Sequence, residues 1–168
     1  MSKGNDFPEG FTLRNADEQD VMNIHELLKV YAADRLLLPR PPVDILEKIR
    51  NFRILELNGE FAGCTALRNY GGGLYEVRSL AVRKEMLGKG AGSAMVSALL
   101  DSLRRTATEP VRVFALTYRD NFFHRLGFQT VEKEMFPEKI WSDCSVCPKK
   151  DRCDEIAVLI EIPAAGTA

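Results

Sequence analysis

The segment that most restricts the fold runs from a β-type sequence straight into glycines and then into a helix. Leu74 to Val82 is an alternating, strand-like run, Gly88-Lys89-Gly90-Ala91-Gly92 follows it, and Met95, Val96, Leu99 and Leu103 then recur at helical spacing. Glycines at the mouth of a helix carry no β-carbons to block a close ligand, and the first amides of a helix lack intrahelical acceptors. With the helix dipole pointing the same way, the unit suits a phosphate or pyrophosphate. Glycines spaced in this way also occur as a plain turn. A dinucleotide-binding unit would open a parallel βαβ array, whereas here hairpin strands come first. A nucleoside-triphosphatase loop would need Gly-Lys followed by Ser or Thr, and Gly88-Lys89-Gly90 does not supply it.

The remaining elements follow from periodicity. Thr12 to Arg14 predicts a short strand, and Val21, Ile24, Leu28 and Tyr31 predict a first helix capped by Asn15 or Asp17. Pro39-Arg40-Pro41-Pro42 starts a short second helix with Val43, Leu46 and Ile49 on one side. Phe52 to Leu57 and Phe61 to Leu67 form a hairpin across Asn58-Gly59, and Asn69 to Gly73 reads as a loop. Val111 to Tyr118 predicts a buried strand, Asp120 to Leu126 a short helix closed by Gly127, and Gln129 to Lys133 and Glu155 to Ile162 late strands. The order implies an α/β (α+β) fold: a mixed, mostly antiparallel sheet of about six or seven strands flanked by about four helices.

Length and charge narrow the function. The 168 residues suit one domain, placed at residues 11–163, with residues 1–10 and 164–168 expected to be flexible. Lys plus Arg number 23 against 24 for Asp plus Glu, so no broad cationic field exists for a nucleic acid or a membrane surface. No apolar stretch has membrane-spanning length, and Met1 to Asp6 lacks a signal-peptide apolar segment, which predicts a cytoplasmic protein. Three of the four Cys, Cys144, Cys147 and Cys153, lie close together, unlike a secreted disulfide framework. Their spacing is ligand-like for structural zinc, but a fourth ligand such as Asp143, Asp154, a His or Cys64 would be required, and a loop with packed thiols is the plain alternative.

Leu74-Tyr75-Glu76-Val77-Arg78-Ser79-Leu80-Ala81-Val82 followed by Gly88-Lys89-Gly90-Ala91-Gly92, with Leu126-Gly127-Phe128 further on, resembles the signature of the GCN5-related N-acetyltransferase (GNAT) family. The likeness covers residues 11 to 162 and the order of elements agrees. Within the family the chain is similar to the short, stand-alone N-acetylglutamate synthases in Leu36-Leu37-Leu38-Pro39-Arg40, Glu76 to Val82, Leu116-Thr117-Tyr118, Phe122-Phe123, and Trp141 to Pro148 with Cys153-Asp154-Glu155. The resemblance implies acetyl-CoA as co-substrate, its pyrophosphate held by Leu87, Gly88, Lys89, Gly90, Ala91 and Gly92. It implies backbone N–H groups of Leu80, Ala81 and Val82 against the pantetheine arm and acetyl carbonyl, and acetylation of the α-amino group of glutamate in arginine biosynthesis. Oxyanion donors of that kind contribute on the order of 3 kcal/mol each.

An amine must lose its proton before it attacks a thioester, so a base is needed. Glu76 and Arg78 lie two apart on a strand and share one face about 6 to 7 Å apart. Glu76 is the candidate base, through water, and Arg78 the candidate clamp for a substrate carboxylate, the plain alternative being a structural ion pair. Arg40 is a second candidate cation, since glutamate has two carboxylates; Arg35 and Arg119 are weaker ones. Two positions depart from the family: Leu87 stands where Arg or Gln is usual, which predicts weaker cofactor affinity, and Phe123 where many relatives place an acidic Tyr. Tyr118 is the substitute candidate acid, with His124 behind it, unless it is simply a half-buried aromatic. His25 reads as a packed, hydrogen-bonded residue, and Cys64 as core rather than an acyl carrier. A GNAT enzyme for another small amine or a protein N-terminus, and a non-catalytic acyl-CoA-binding module, are the alternatives; a homodimer is left open.

Overall fold

The computed structural model describes residues 7–34, 40–136 and 155–165. Strands β1 (Phe11–Asn15), β2 (Phe52–Leu57), β3 (Glu60–Gly71), β4 (Leu74–Val82), β5 (Val111–Thr117), β6 (Gln129–Val131) and β7 (Ile156–Ile162) form one sheet in the order β1-β2-β3-β4-β5-β7-β6. Every neighbouring pair is antiparallel except β4 and β5, which run parallel. Helices α1 (Val21–Ala33), α2 (Pro42–Glu47), α3 (Ala91–Thr106) and α4 (Asp120–His124) complete the architecture expected from periodicity.

Alternation along the strands sorts the core into two faces. Ile24, Leu28 and Tyr31 of α1 and Ile45 of α2 pack on Phe52, Ile54, Cys64, Ala66 and Ala81. On the opposite face Val96, Leu99, Leu100 and Leu103 of α3 and Phe123 of α4 pack on Val77, Val113, Ala115 and Val158. The entry to α1 is locked before the helix begins. Asp17 accepts from the Gln19 amide at 2.9 Å, Asp20 accepts from the Asp17 amide at 2.8 Å, and Arg14 grips Asp20 with two bonds of 2.8 and 2.9 Å. The Arg14 guanidinium holds the buried Asp20 carboxyl below the usual carboxylate range.

Three boundaries differ from expectation. On α2 the inward residue is Ile45, fully buried, while Val43 and Leu46 are 62% and 46% exposed. A helix of under two turns has no repeating stripe, so the contact with the α1 cluster selects the face. Strand β3 continues through Asn69 and Tyr70 to Gly71, and only Gly72 and Gly73, with φ of +63° and +83°, make the turn. The helix at 120 ends at His124, two residues short. Phe7 packs against the cluster containing Phe11 and Leu55, and the Ala165 amide donates to the Ala107 carbonyl at 2.8 Å. Among the described residues no helix is long and apolar enough to cross a membrane.

Candidate active site

The site is built around an irregularity in β4. Ala66 pairs with Arg78 and Cys64 with Ala81, so Ser79 and Leu80 together face the single residue Thr65, and Ser79 takes a left-handed φ of +51°. The inserted residue reverses the alternation: Glu76 and Arg78 point to the α1 side before it, Ala81 after it, while Val77, Leu80 and Val82 pack toward α3. Neighbours pin the bulged backbone. Thr65 and Cys64 donate to the carbonyls of Arg78 and Ser79, each at 3.4 Å, and the Tyr31 hydroxyl donates to the Val82 carbonyl. Gly63 lets the two strands approach, because a β-carbon there would lie 2.6 Å from the Ala81 carbonyl oxygen.

On its other side β4 leaves β5. The parallel ladder joins Leu74, Tyr75 and Glu76 to Arg112, Val113 and Phe114, and beyond Glu76 the strands part. The backbone of Leu80, Ala81 and Val82 therefore borders a gap between strands rather than a ladder. Gly88 and Gly90 follow with φ of +81° and +80°, and a β-carbon on either would meet nothing within 4 Å. Gly90 caps α3, a helix of 16 residues, and the first helical bond runs from Ala94 to its carbonyl at 3.1 Å. The preceding amides lack an i−4 partner in the helix, the arrangement that suits a diphosphate. Lys89 is exposed beside them, Ala91 is buried, and Leu87 is 46% exposed, an apolar side chain in water.

On the α1 side a cavity of about 220 Å³ opens between α2 and the sheet, lined among others by Arg40, Lys48, Phe52, Arg68 and Arg78. Two predicted cations, Arg40 and Arg78, thus meet in one place. Arg40 Nη1 lies 3.4 Å from Ser79 Oγ, and its guanidinium sits 5.5 Å from the Phe52 ring centre. Its carbonyl meets His25 Nδ1 at 2.9 Å, which accounts for His25 as a hydrogen-bonded packing residue. Glu76 is only 3% exposed; its Oε1 lies 3.8 Å from Arg78 Nε and accepts from the Tyr70 hydroxyl at 2.8 Å. The ion pair expected as the plain alternative for Glu76 is thus present.

Sequence reasoning missed Arg68 and Tyr70. Arg68 pairs directly with Glu76 across the strands, lines the cavity, and stacks over the Tyr70 ring at 4.4 Å. Counting back from a two-residue turn at Gly72-Gly73 would have placed both on β3, whereas the Asn and glycines pointed to a longer loop. Tyr118 follows the end of β5 and is half-buried. Phe123 is packed edge-on between Phe122 and Phe128, with ring centres 5.1 Å apart in each pair, so core packing accounts for it. His124 Nε2 lies 2.8 Å from Thr130 Oγ1, and the exposed Arg119 donates its amide to Thr117. Arg35 and the three cysteines proposed for zinc, Cys144, Cys147 and Cys153, lie outside the described residues; among those described, no group of three or more His, Cys, Asp or Glu side chains is placed to hold a metal.

The acetyltransferase (GNAT) domain family matches residues 43–142. The chain belongs to that family. An uncharacterized N-acetyltransferase, CT2212 of Chlorobaculum tepidum, is 40% identical over 147 residues, covering 88% of this chain and 94% of the relative. An amino-acid acetyltransferase of Mycobacterium tuberculosis is 37% identical over 123 residues, 71% of this chain and 69% of the relative. N-acetylglutamate synthase from Neisseria gonorrhoeae, solved with coenzyme A and N-acetyl-glutamate, shares the fold with a TM-score of 0.77 at 24% identity, covering 90% of this chain and 35% of that one. This GNAT chain is accordingly an acetyl-CoA-dependent N-acetyltransferase.

The state of Cys64 does not suit it to carry an acyl group, as its place in a strand predicts. Its thiol is fully buried, and burial pushes it up to about 12, so almost no thiolate exists near neutral pH. In the folded protein iodoacetamide should leave Cys64 unmodified at pH 8, as read by peptide mass mapping, while in denaturant it alkylates; rapid native labelling would contradict the packing.

Proposed function

We propose that the chain transfers acetyl from acetyl-CoA to the α-amino group of L-glutamate, acting as an N-acetylglutamate synthase for arginine biosynthesis in the cytoplasm. The observation that carries the proposal is the convergence of Arg40, Arg68 and Arg78 on one cavity, beside Glu76 and the bulge of β4. A substrate with two carboxylates needs such a cluster, and guanidinium groups match carboxylates by paired bonds. The M. tuberculosis relative's designation as an amino-acid acetyltransferase supports the same class of substrate.

The chemistry assigns each group a task. Glu76 takes a proton from the substrate ammonium through water. The freed nitrogen lone pair attacks the thioester carbonyl, and an N–C bond forms. Those amides of the Leu80-Ala81-Val82 segment that point away from β3 face the oxygen on which charge develops. The C–S bond then breaks; Tyr118 is the proposed donor of the proton that the CoA thiolate takes up, and the second proton, shed by the nitrogen as the amide forms, restores the phenol through water. Gly88 to Gly92 hold the diphosphate end of the donor.

Thiol release should be followed with glutamate, glutamine, aspartate, alanine and lysine as acceptors. Glutamate is expected to exceed glutamine in kcat/KM by about tenfold or more, since one charge-assisted contact is lost. Equal rates on neutral amino acids would remove the substrate assignment, and no acetylated product from any of them, with tight CoA binding, would favour a non-catalytic binding module.

A further inference from the structure

We propose that Tyr70 is a positioning residue for Glu76: its hydroxyl, aimed by a bulge of its own in β3, fixes the direction of the buried carboxylate through one of its oxygens. The part this plays in turnover rests on Glu76 being the base proposed above. The physical claim about the two side chains does not.

Two independent observations support it. First, Asn69 pairs with Tyr75 and Gly71 with Leu74, so Tyr70 is an extra residue with no partner of its own in the ladder. Bulges of this kind re-aim a side chain beside active sites. Here the result is a phenol lying 2.8 Å from Glu76 Oε1, six residues away across the turn. Second, the phenol is held on both sides. Arg68 stacks over its ring at 4.4 Å, and Phe114, the ladder partner of Glu76, lies 5.9 Å from it between ring centres.

A donor to a carboxylate favours the charged form, and a phenol can act as one only while protonated. Burial, reinforced by the neighbouring Glu76 charge, pushes the Tyr70 phenol well above its ordinary value, so it remains a neutral donor throughout the working range. The other charged groups around Glu76 are Arg78 on its own strand, Arg68 from β3 and Arg112 two residues before Phe114 on β5. Across the cavity α2 and its end contribute Asp44, Glu47 and Lys48, with Arg40 beside them. These cations attract the carboxylate without aiming it. Tyr70 differs in fixing its direction, through a short directional bond to one oxygen.

The test reads the carboxyl group itself. Protein labelled with carbon-13 in its glutamate side chains is titrated without substrate, and the Glu76 signal is assigned by its loss in Glu76→Gln. Tyr70→Phe keeps the ring and removes the donor, so the Glu76 midpoint should rise by about one pH unit. Site-specific 3-fluorotyrosine at position 70, a more acidic and stronger donor, should move it the other way, which keeps the test informative if the Phe variant fails to fold. The acid limb of kcat/KM, which requires the base ionised, should follow the midpoint in each case. A Glu76 midpoint unmoved by both changes overturns the proposal. A midpoint that moves while the acid limb stays fixed upholds the hold of Tyr70 on Glu76 and instead removes Glu76 as the base.

Discussion

Arg78→Met is expected to lower kcat/KM for the amino-acid substrate about a hundredfold and to destabilise the fold by about 2 kcal/mol, for separate reasons. The stability loss comes from Glu76. With Arg78 gone, a carboxylate whose side chain is 4% exposed keeps Tyr70 but loses the cation at 3.8 Å. Breaking a buried pair leaves a charge in a poor solvent, and the 15% exposure of Arg78 places the cost toward the lower end of such cases. The activity loss comes from the cavity, where Arg78 is one of three arginines. The double variant Glu76→Gln with Arg78→Met separates the two. It should regain most of the stability in a urea titration, because no buried charge is stranded, and none of the activity. Because Glu76→Gln also removes the proposed base, the part of Arg78 in turnover is read from the single variant, where an unchanged kcat/KM would show that Arg78 serves only its neighbour.

Gly63→Ala should cut kcat by about a hundredfold while the protein stays folded. The added carbon would stand 2.6 Å from the Ala81 carbonyl oxygen and 3.2 Å from the Val82 α-carbon, both backbone atoms that cannot rotate away. Strands β3 and β4 must separate locally, at an overpacking cost of about 1–3 kcal/mol that a sheet with neighbours on both sides survives. The displaced segment, however, is the one whose amides are assigned to the acetyl carbonyl. A shift of about 1 Å there costs far more in rate than in stability. Circular dichroism with steady-state kinetics decides it, and a kcat within threefold of the parent would free these amides of any part in the reaction.

The order of elements could be read from local pattern because local physics produces it. Asn58-Gly59 sets the first hairpin, Val96, Leu99 and Leu103 set the buried stripe of α3, and Gly88 and Gly90 take the left-handed angles that mark the loop. Arg40 and Arg78, singled out by charge and by the segments they stand in, line one cavity. What was not legible depends on register. The extra residues at Ser79 and Tyr70 are defined only by what stands opposite them, so neither bulge leaves a mark in its own strand. Arg68 and Tyr70 are hidden by Asn69 and the glycines beyond it, which read as a longer loop. Phe123 drew notice as a missing acid, but its rings' edge contacts show a residue chosen for packing.

The parting of β4 and β5 after three residue pairs has a cost that the rest of the fold absorbs. Two blocks of strands, one built from the first four and one from the last three, share a short seam, which α3 bridges by packing on both Val77 and Val113. Zipping that seam further would add ladder bonds and rigidity, and would close the slot proposed for the thioester arm. Robustness and turnover therefore compete for the same few backbone groups, so engineering for heat tolerance belongs at the outer strands and helix surfaces, away from the join.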